Sequence, residues 1–261
     1  MSDQTIRFEN GETYERYMGK WSQLAGDKFL TWLAPLTGMR WLDVGCGNGA
    51  FTEKIVQQCA PAAVHGIDPS EGQLRFARTR PGTQAAQYDL GDAMALSFPD
   101  NSFDAAVMPL VIFFVPVPAK GVAEMARVVR PGGLVTAYAW DFPDGGFPYD
   151  ALLSEMRAMG MGVPTPPSPD ASRIDVMRDL WVNAGLSDVE TTVITVQRTY
   201  VDFDDYWTTI RGAPSVGTKV DTMTPDVHAD LKARMVAKLP ASANGQITLS
   251  ARAHAAKGRV Q

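Results

Sequence analysis

The sequence predicts an α/β protein built on a doubly wound, mostly parallel sheet. Apolar segments of strand length alternate with amphipathic segments of helix length between residues 40 and 140, a pattern typical of parallel sheets covered by helices. Trp41–Val44 is the first predicted strand and runs directly into three alternate glycines, Gly45, Gly47 and Gly49. Because glycine lacks a Cβ atom, this turn lets a ligand lie against the main chain, facing the free N–H groups of the next helix. We interpret it as a nucleotide-cofactor turn.

The composition fits one globular domain and excludes several function classes. The chain has 261 residues, and its hydrophobic content of 45% is enough for a sizeable core. Its net charge is -5. No run of Lys and Arg resembles a nucleic-acid footprint, and Cys46 and Cys59 indicate no disulfide framework. Residues 1–5 are polar, and no apolar run approaches membrane-spanning length. We therefore expect a cytoplasmic protein with neither a nucleic-acid nor a membrane partner.

Two helices are predicted before the first strand. Apolar side chains recur at helical spacing over residues 13–25, and a second short helix over residues 29–33 is expected to end at Pro35 and Gly38. The apolar stripe of the first helix consists of Tyr14, Tyr17, Met18, Trp21, Leu24 and Ala25. Core packing explains such a stripe, although this helix has no place in the minimal sheet.

Beyond the glycine turn, helices and strands alternate up to residue 140. One helix carries Phe51 and Ile55, and Ser70 with Gln73 forms a capping box that begins the next. Strands are predicted at residues 64–68, 85–88, 105–110 and 134–140, and a helix marked by Val122, Met125 and Val129 precedes the last of them. The end of the fourth strand, Met108–Leu110, would then lie at the switch point where doubly wound sheets bind ligands.

Three aspartates lie at or just after the ends of the first three strands. Asp43 lies two residues before the first glycine, where a carboxylate repels a pyrophosphate but suits a ligand with a cationic amino group, such as S-adenosylmethionine (SAM). Asp68 ends the second strand, about where nucleotide sites place a carboxylate on ribose hydroxyls. Asp92 lies in the turn after the third strand, where an adenine would receive a polar contact. The spacing alone leaves NAD and SAM open, and Asp43 and the lack of a Gly-x-Gly-x-x-Gly match disfavour NAD.

Taken together, these motifs resemble the class I SAM-dependent methyltransferases. They look most like the small-molecule branch, methyltransferase type 11, which includes enzymes of ubiquinone and menaquinone biosynthesis. The motifs that carry the resemblance are Asp43–Gly49, Asp68, Gly91–Ala93, Phe98–Asp104 and Arg130–Gly133, within residues 40–140. The resemblance implies a Rossmann-like sheet of seven strands whose seventh strand is antiparallel. It also implies methyl transfer from SAM to a small-molecule acceptor, with S-adenosylhomocysteine as the product.

The resemblance also implies which residues bind the cofactor. Gly45 and Gly47 would approach the methionine part of SAM, and Asp43 would lie near its ammonium group. Asp68 would accept the two ribose hydroxyls. Further expected contacts are Asp92 and Ala93 at the adenine edge, Pro69 on the ring, and Trp21, Met108 and Leu110 around the cofactor. Enzymes of this kind often close an N-terminal helix over the cofactor, so Tyr14, Tyr17 and Trp21 are candidates for a lid.

The second half of the chain is expected to cover the acceptor. Residues 141–170 are rich in proline and glycine around a short helix at residues 152–159, and residues 200–243 form a helical insertion before a last strand at 247–255. Between them we expect a helix capped by Ser172 and Asp175 and ended by Gly185, then a strand at 189–196. We treat residues 1–261 as one methyltransferase domain. Its parts are an N-terminal helical lid (1–38), a SAM-binding core (39–140) and two substrate-covering insertions (141–170 and 200–243).

The chain departs from many of these enzymes where a histidine pair follows strand four, because Phe113 and Phe114 stand there. Methyl transfer from a sulfonium mainly needs alignment and a dry pocket, and a general base helps only some nucleophiles. The weak candidates for a catalytic polar group are His228, Tyr17 and Asp141, whereas His65 and His254 are expected to be structural. The apolar wall favours a hydrophobic or aromatic acceptor, with Phe113, Phe114, Trp140, Trp207 and Met108 as its members.

Other functions stay open at this point. A SAM-binding protein without transferase activity, acting as a sensor or partner subunit, would equally lack a base. A protein or nucleic-acid acceptor lacks support, because Met108–Val111 stands where amino-methylating enzymes carry an Asn-Pro-Pro-Tyr-type motif. We expect no metal, and the oligomeric state is left as monomer or homodimer.

Overall fold

A seven-stranded sheet forms the centre of the protein. The structure is a computed structural model that describes residues 15–213 and 216–261. Its strands are β1 (Arg40–Val44), β2 (Ala63–Asp68), β3 (Ala86–Leu90), β4 (Phe103–Pro109), β5 (Val129–Trp140), β6 (Ser187–Tyr200) and β7 (Ile247–Arg259). They lie in the order β3-β2-β1-β4-β5-β7-β6. The first five strands pair in parallel, and β7 is antiparallel to both β5 and β6.

This order confirms the predicted doubly wound, mostly parallel sheet with an antiparallel seventh strand. The chain runs outward from β1 to β3, returns to β4 beside β1, and then runs outward in the other direction. The switch point therefore lies between β1 and β4, where the register pairs Asp43 with Val107. Crevices at such points are the preferred ligand sites of open α/β sheets.

The helices cover both faces of the sheet. They are α1 (Lys20–Leu33), α2 (Ala50–Gln58), α3 (Glu71–Thr79), α4 (Pro118–Val128), α5 (Asp150–Ala158), α6 (Ile174–Asn183), α7 (Phe203–Arg211), α8 (Val216–Asp221) and α9 (Pro225–Lys238). A π-helical turn, Glu15–Gly19, leads into α1. The fully buried Trp21, Trp41, Trp140 and Trp181 are the largest core side chains.

The prediction of two separate N-terminal helices is wrong, because α1 continues unbroken to Leu33. Phe29, Leu30 and Leu33 extend the same buried face as Trp21, so one amphipathic stripe serves the whole helix. The helix ends at Ala34, which adopts a left-handed conformation (φ 45°).

Two further local predictions need correction. Ser172 does not cap α6, since its hydroxyl instead donates to the Pro169 carbonyl (2.7 Å) and accepts from the Phe142 N–H (3.3 Å). Val129 was expected on a helix but begins β5, where it pairs with Phe103 before a register shift. Ser70 does cap α3, since its hydroxyl accepts from the Gln73 N–H at 3.4 Å, and Gly185, with φ 77°, follows the end of α6 as predicted.

The predicted insertion between the last two strands contains the helices α7, α8 and α9 in its described part. Glu155 on α5 joins it to the loop-rich segment after β5 through an ion pair with Lys238 (2.7 Å). Strands β6 and β7 extend well beyond the predicted 189–196 and 247–255, because they pair with each other from Ser187 to Tyr200.

Candidate functional site

The glycine turn after β1 has the geometry of a ligand cradle. Gly45, Gly47 and Gly49 all have positive φ, at 75°, 54° and 79°, a region that L side chains rarely adopt. A Cβ atom at Gly45 would lie 2.6 Å from Val111 Cγ2, whereas one at Gly47 would meet no heavy atom within 4 Å. Gly45 is therefore needed for close packing, and Gly47 faces open space at the start of α2.

Asp43 is a fully buried carboxyl group beneath this turn. Its Oδ2 accepts a hydrogen bond from the Thr52 hydroxyl at 2.6 Å, while Oδ1 has no partner among the described residues. Burial raises the pKa of Asp43 to about 7, and the nearby Asp68 adds to this effect while the Thr52 hydroxyl opposes it. A cationic ligand group close by would favour the charged form. Sequence reasoning missed Thr52, since nothing in the pattern distinguishes it from other residues of a helix.

Asp68, at the end of β2, connects the glycine turn to the following helix. Its Oδ2 accepts from the Gly47 N–H at 2.9 Å, and its Oδ1 accepts from the Ser70 N–H at 2.8 Å. Burial raises the pKa of Asp68, and these two backbone hydrogen bonds oppose that rise. Each carboxylate oxygen carries a further lone pair, so Asp68 is half-buried beside Gly47 with remaining capacity to accept hydroxyl groups.

Asp92 and Ala93 lie in the loop after β3, on the same edge of the sheet as Asp68. The register pairs Asp68 with Leu90, so the two loops leave the sheet side by side. Asp92 is exposed and its Oδ1 accepts from the Met94 N–H at 2.8 Å. Pro69 is also exposed and Ala93 is half-buried. The structure thus brings the glycine turn, Asp68 and Asp92 to one edge.

The end of β4 closes this edge from the other side. Met108 is fully buried, whereas Leu110 is half-buried and has a positive φ of 60°. Its N–H donates to the Tyr138 carbonyl at 2.7 Å, and the next residue, Val111, packs against Gly45. A non-glycine residue in this conformation costs on the order of 1–3 kcal/mol and is often found at functional sites. The sequence gives no signal of it.

The N-terminal aromatic side chains are packed into the protein. Trp21 is fully buried, and its Nε1 donates to the Tyr200 hydroxyl at 3.2 Å. The Tyr17 ring stacks on Tyr149 with centroids 4.3 Å apart, and the Tyr149 hydroxyl donates to the Tyr17 carbonyl at 2.5 Å. These contacts agree with the core-packing alternative. Tyr14 lies outside the described residues, and a cofactor contact of Trp21 stays a prediction.

The candidate catalytic groups Asp141 and His228 are each engaged in other contacts. The carboxylate of Asp141 is fully buried and accepts from both Nε (2.8 Å) and Nη2 (2.6 Å) of Arg252, so it is committed to an ion pair. His228 lies on α9 with its ring 5.4 Å from that of Trp207. His254 hydrogen-bonds the Ser172 carbonyl at 2.8 Å, and His65 pairs with Asp89 at 2.7 Å, as expected of structural histidines.

Aromatic rings line the region beyond the ends of β4 and β5. Phe113 contacts Phe114 (4.6 Å between centroids) and Phe142 (4.7 Å), and Phe142 stacks on Phe147 (4.6 Å). Phe147 in turn contacts Tyr149 at 6.0 Å. Phe114, Phe142 and Phe147 are half-buried. This wall is apolar, as predicted from Phe113 and Phe114.

Within residues 15–213 and 216–261, no group of three or more His, Cys, Asp or Glu side chains is arranged to hold a metal ion. None of the helices described here combines the length and apolar character needed to cross a membrane.

Comparison with known proteins identifies the part of the chain that carries these motifs. A family model described as a methyltransferase domain matches residues 42–137. The demethylmenaquinone methyltransferase of Renibacterium salmoninarum is 35% identical over 142 residues, which are 54% of this chain and 56% of that protein. The fatty-acid O-methyltransferase of Mycolicibacterium smegmatis is 35% identical over 100 residues, 38% of this chain and 36% of that protein. The chain thus spans between about a third and just over half of the length of these two relatives.

A solved structure shares the fold over nearly the whole chain. Phosphoethanolamine N-methyltransferase 2 of Haemonchus contortus, in complex with S-adenosyl-L-methionine, matches with a TM-score of 0.58 and 19% identity, covering 96% of this chain and 56% of that one. At this identity the likeness shows the Rossmann-like fold alone. The sequence matches confirm the resemblance to methyltransferases.

Proposed function

We propose that this chain, whose residues 42–137 match a methyltransferase domain, transfers the methyl group of SAM to a small hydrophobic or aromatic molecule. The observation that carries the proposal is the single edge of the sheet on which the glycine turn, Asp43, Asp68 and Asp92 meet. One elongated ligand with a cationic end, two ribose hydroxyls and an adenine would satisfy all of them.

Two features of the edge fit SAM. The unpartnered Oδ1 of Asp43 lies beneath the turn where an ammonium group would be held, directly or through water. The open space over Gly47 and the α2 N-terminus would admit the methionine part, and a cofactor with two phosphates would meet repulsion from Asp43 instead. In this assignment Asp68 accepts the ribose hydroxyls, Asp92 and Ala93 meet the adenine edge, and Pro69, Met108 and Leu110 pack around it.

The chemistry supplied by SAM is an electrophilic methyl carbon on a sulfonium: a lone pair of the acceptor forms the new bond while the carbon–sulfur pair of electrons returns to sulfur. The protein's part is to orient the acceptor in line and to exclude water. The apolar wall of Phe113, Phe114 and Phe142 supports both tasks. A proton released by the acceptor is not assigned to Asp141, since that carboxylate is held by Arg252.

The acceptor is assigned to the space between this wall and the insertions. In this assignment the N-terminal helix, residues 141–170 and the described part of residues 200–243 cover the acceptor, and the buried rings of Trp21, Tyr149 and Trp207 support an apolar site there. The two relatives' names indicate a quinone precursor and a fatty acid as acceptors of those proteins. Both are apolar small molecules, which supports the same class here.

Titration calorimetry with S-adenosylhomocysteine tests the cofactor assignment. We expect Asp68→Ala to lower the affinity by tenfold or more, since roughly 1.5–3 kcal/mol is typical of hydrogen bonds to a charged group. Asp89→Ala is the matched control, because Asp89 lies on the neighbouring β3, is exposed, and pairs only with His65 among the described contacts. Equal affinities of wild type and Asp68→Ala would refute the site.

A second function, a SAM-binding protein without transferase activity, is favoured by two observations. Phe113 and Phe114 stand where many of the similar enzymes have a histidine pair, and the carboxylate of Asp141 is held in an ion pair with Arg252. Incubation with methyl-labelled SAM and fractionated apolar metabolites separates the two. Transfer of label to a metabolite by the wild type, and its loss in Asp68→Ala, supports the transferase. Tight SAM binding with no label transfer across all fractions supports the sensor.

A further inference from the structure

The loop from Asp92 to Asp100 contains no helix or strand beyond an isolated bridge between Asp92 and Ala95. We propose that Glu124 and Arg127 of α4 are positioning residues that fix this loop and so set selectivity for a 6-aminopurine. The proposal rests on the proposed function, which assigns adenine to Asp92 and Ala93.

One ion pair on α4 holds both backbone groups of Leu96. The Leu96 N–H donates to Glu124 Oε2 at 2.8 Å, and the Leu96 carbonyl accepts from Arg127 Nη2 at 2.9 Å. Arg127 also donates to the Phe98 carbonyl and to Asp100 Oδ1, each at 2.8 Å. A single guanidinium thus fastens three points of the loop.

The pair itself is held in one geometry. Arg127 Nε donates to Glu124 Oε1 and Nη2 donates to Oε2, both at 2.8 Å, which is the bidentate arrangement that restricts both side chains. The hydrogen bond from Arg127 is the largest cause that lowers the pKa of Glu124. The carboxylate therefore stays ionised, and the pair stays intact, throughout the neutral range.

The anchored residue is close to the adenine contacts. Leu96 is buried and lies three residues after Ala93, so a shift at Leu96 is passed to the turn within one short segment of chain. Helix α4 also approaches Ala93 directly, because a Cβ atom at Gly121 would lie 3.8 Å from the Ala93 carbonyl oxygen. Helix α4 thus approaches the loop at Ala93 through Gly121 and holds it at Leu96 through Glu124 and Arg127.

These hydrogen bonds explain how the loop can hold Asp92 in a fixed position although it contains no helix or strand. Asp92 is exposed, and its carboxylate would accept from a 6-amino group only if the turn keeps its position. A purine with a 6-oxo group offers no such donor, so the ratio of the two affinities measures how well Asp92 is placed.

The test compares binding of S-adenosylhomocysteine with S-inosylhomocysteine, which carries a 6-oxo group, by titration calorimetry on the full chain. For wild type we expect a preference for the adenosyl ligand of about tenfold, the size of one hydrogen bond. Arg127→Lys, which keeps the charge but loses the bidentate geometry, and Glu124→Gln are expected to reduce that ratio several-fold. Asp92→Ala gives the ratio without the carboxylate.

Arg130→Lys is the matched control. Arg130 pairs with Asp104 at 2.6 Å and makes no hydrogen bond or ion pair with residues 92–100 in the part of the chain that the structure describes. An unchanged ratio in Arg127→Lys and Glu124→Gln, with or without an equal loss of both affinities, would overturn the proposal and leave a merely structural role. A wild-type chain that binds neither ligand would instead refute the proposed function itself. Thermal melting of every variant reports whether it is folded.

Discussion

Two parts of this protein are built in different ways. The first is the proposed cofactor edge, formed by the glycine turn with Asp43, Asp68 and Asp92. The second is the proposed covering region, formed by the described parts of residues 15–38, 141–170 and 200–243. At the edge, backbone conformation and three aspartates define the site: positive φ at Gly45 and Gly47, and carboxylates at the strand ends. In the covering region, packed aromatic rings dominate, such as the stacks of Tyr17 on Tyr149 and Phe203 on Trp207. The first depends on a few residue types at fixed positions, whereas the second can be formed by many arrangements of large side chains. The residues proposed to bind the cofactor can therefore be predicted from the sequence, whereas those that would bind the acceptor cannot.

The largest effect is expected where the edge depends on a missing Cβ atom. Gly45→Ala would place a methyl group 2.6 Å from Val111 Cγ2 at a φ of 75°, combining overpacking with left-handed strain, so we expect a loss of about 4 kcal/mol in the free energy of unfolding. Binding of S-adenosylhomocysteine should fall below detection. Urea denaturation and titration calorimetry measure the two.

Gly47→Ala is the control for that substitution, because its φ is also positive but its Cβ would meet nothing within 4 Å. We expect it to cost only about 1–2 kcal/mol of stability, the strain alone. Similar losses for the two variants would contradict the distinction between a packing glycine and a ligand-facing one.

The next effect lies in the covering region, where Arg252 neutralises the fully buried Asp141. Arg252→Met leaves that carboxylate buried without its partner, which we expect to lower the free energy of unfolding by about 3 kcal/mol. Arg211→Met removes a pair with Asp221 whose side chains are 50% and 44% exposed, and should cost less than about 1 kcal/mol. Urea denaturation at neutral pH gives both numbers. A loss for Arg252→Met no larger than for Arg211→Met would show that Asp141 is not dependent on this partner.

The comparison also explains which parts could be predicted from the sequence. The alternation of strands and helices predicted the doubly wound, mostly parallel sheet, and the resemblance to class I methyltransferases implied the antiparallel β7. The positions of Asp43, Asp68 and Asp92 at or just after strand ends follow from the motifs. The continuity of α1 was missed because Gly26 and Asp27 weaken the helical signal, while packing overrides it: a Cβ atom at Gly26 would lie 3.1 Å from the Lys54 side chain, so the glycine permits close approach.

The parts of the site that were not predictable depend on contacts between residues distant in sequence. The hydroxyl of Thr52 donates to Asp43 across the glycine turn. Val111 packs where a Cβ atom of residue 45 would lie. The ion pair with Arg252 makes Asp141 a poor candidate for a general base. None of these roles follows from local spacing. All assigned contacts with the cofactor, including those of Trp21, Pro69 and Leu110, stay predictions.

The pH dependence of stability tests the burial of Asp43. Its pKa is raised to about 7 in the folded protein from about 3.9 in an unfolded chain. Between these values the folded state binds more protons than the unfolded state, so this group's contribution to stability is present below about pH 4 and is lost as the pH rises to about 7. Asp43→Asn removes this dependence, so the difference in unfolding free energy between wild type and variant should change across that window.

Ligand binding provides the complementary measurement for Asp43. If an ammonium group binds near this carboxylate, binding at pH 6 favours the charged form and releases a proton. Titration in two buffers with different ionisation enthalpies measures that release, and Asp43→Asn should abolish it. A release that is the same in the variant would assign the proton to another group.

The smallest effect is expected at His228, which tests whether the covering region contributes chemistry or only packing. Its ring contacts that of Trp207, with the centroids 5.4 Å apart. A general base is worth on the order of 10²–10⁴-fold in rate, whereas loss of an edge contact to one indole should change the rate of label transfer by less than about threefold. We therefore expect His228→Asn to keep near wild-type turnover, measured with methyl-labelled SAM and an acceptor identified by the labelling experiment. A hundredfold loss of label transfer, with the affinity for S-adenosylhomocysteine unchanged, would make His228 the base and would give the covering region a chemical role.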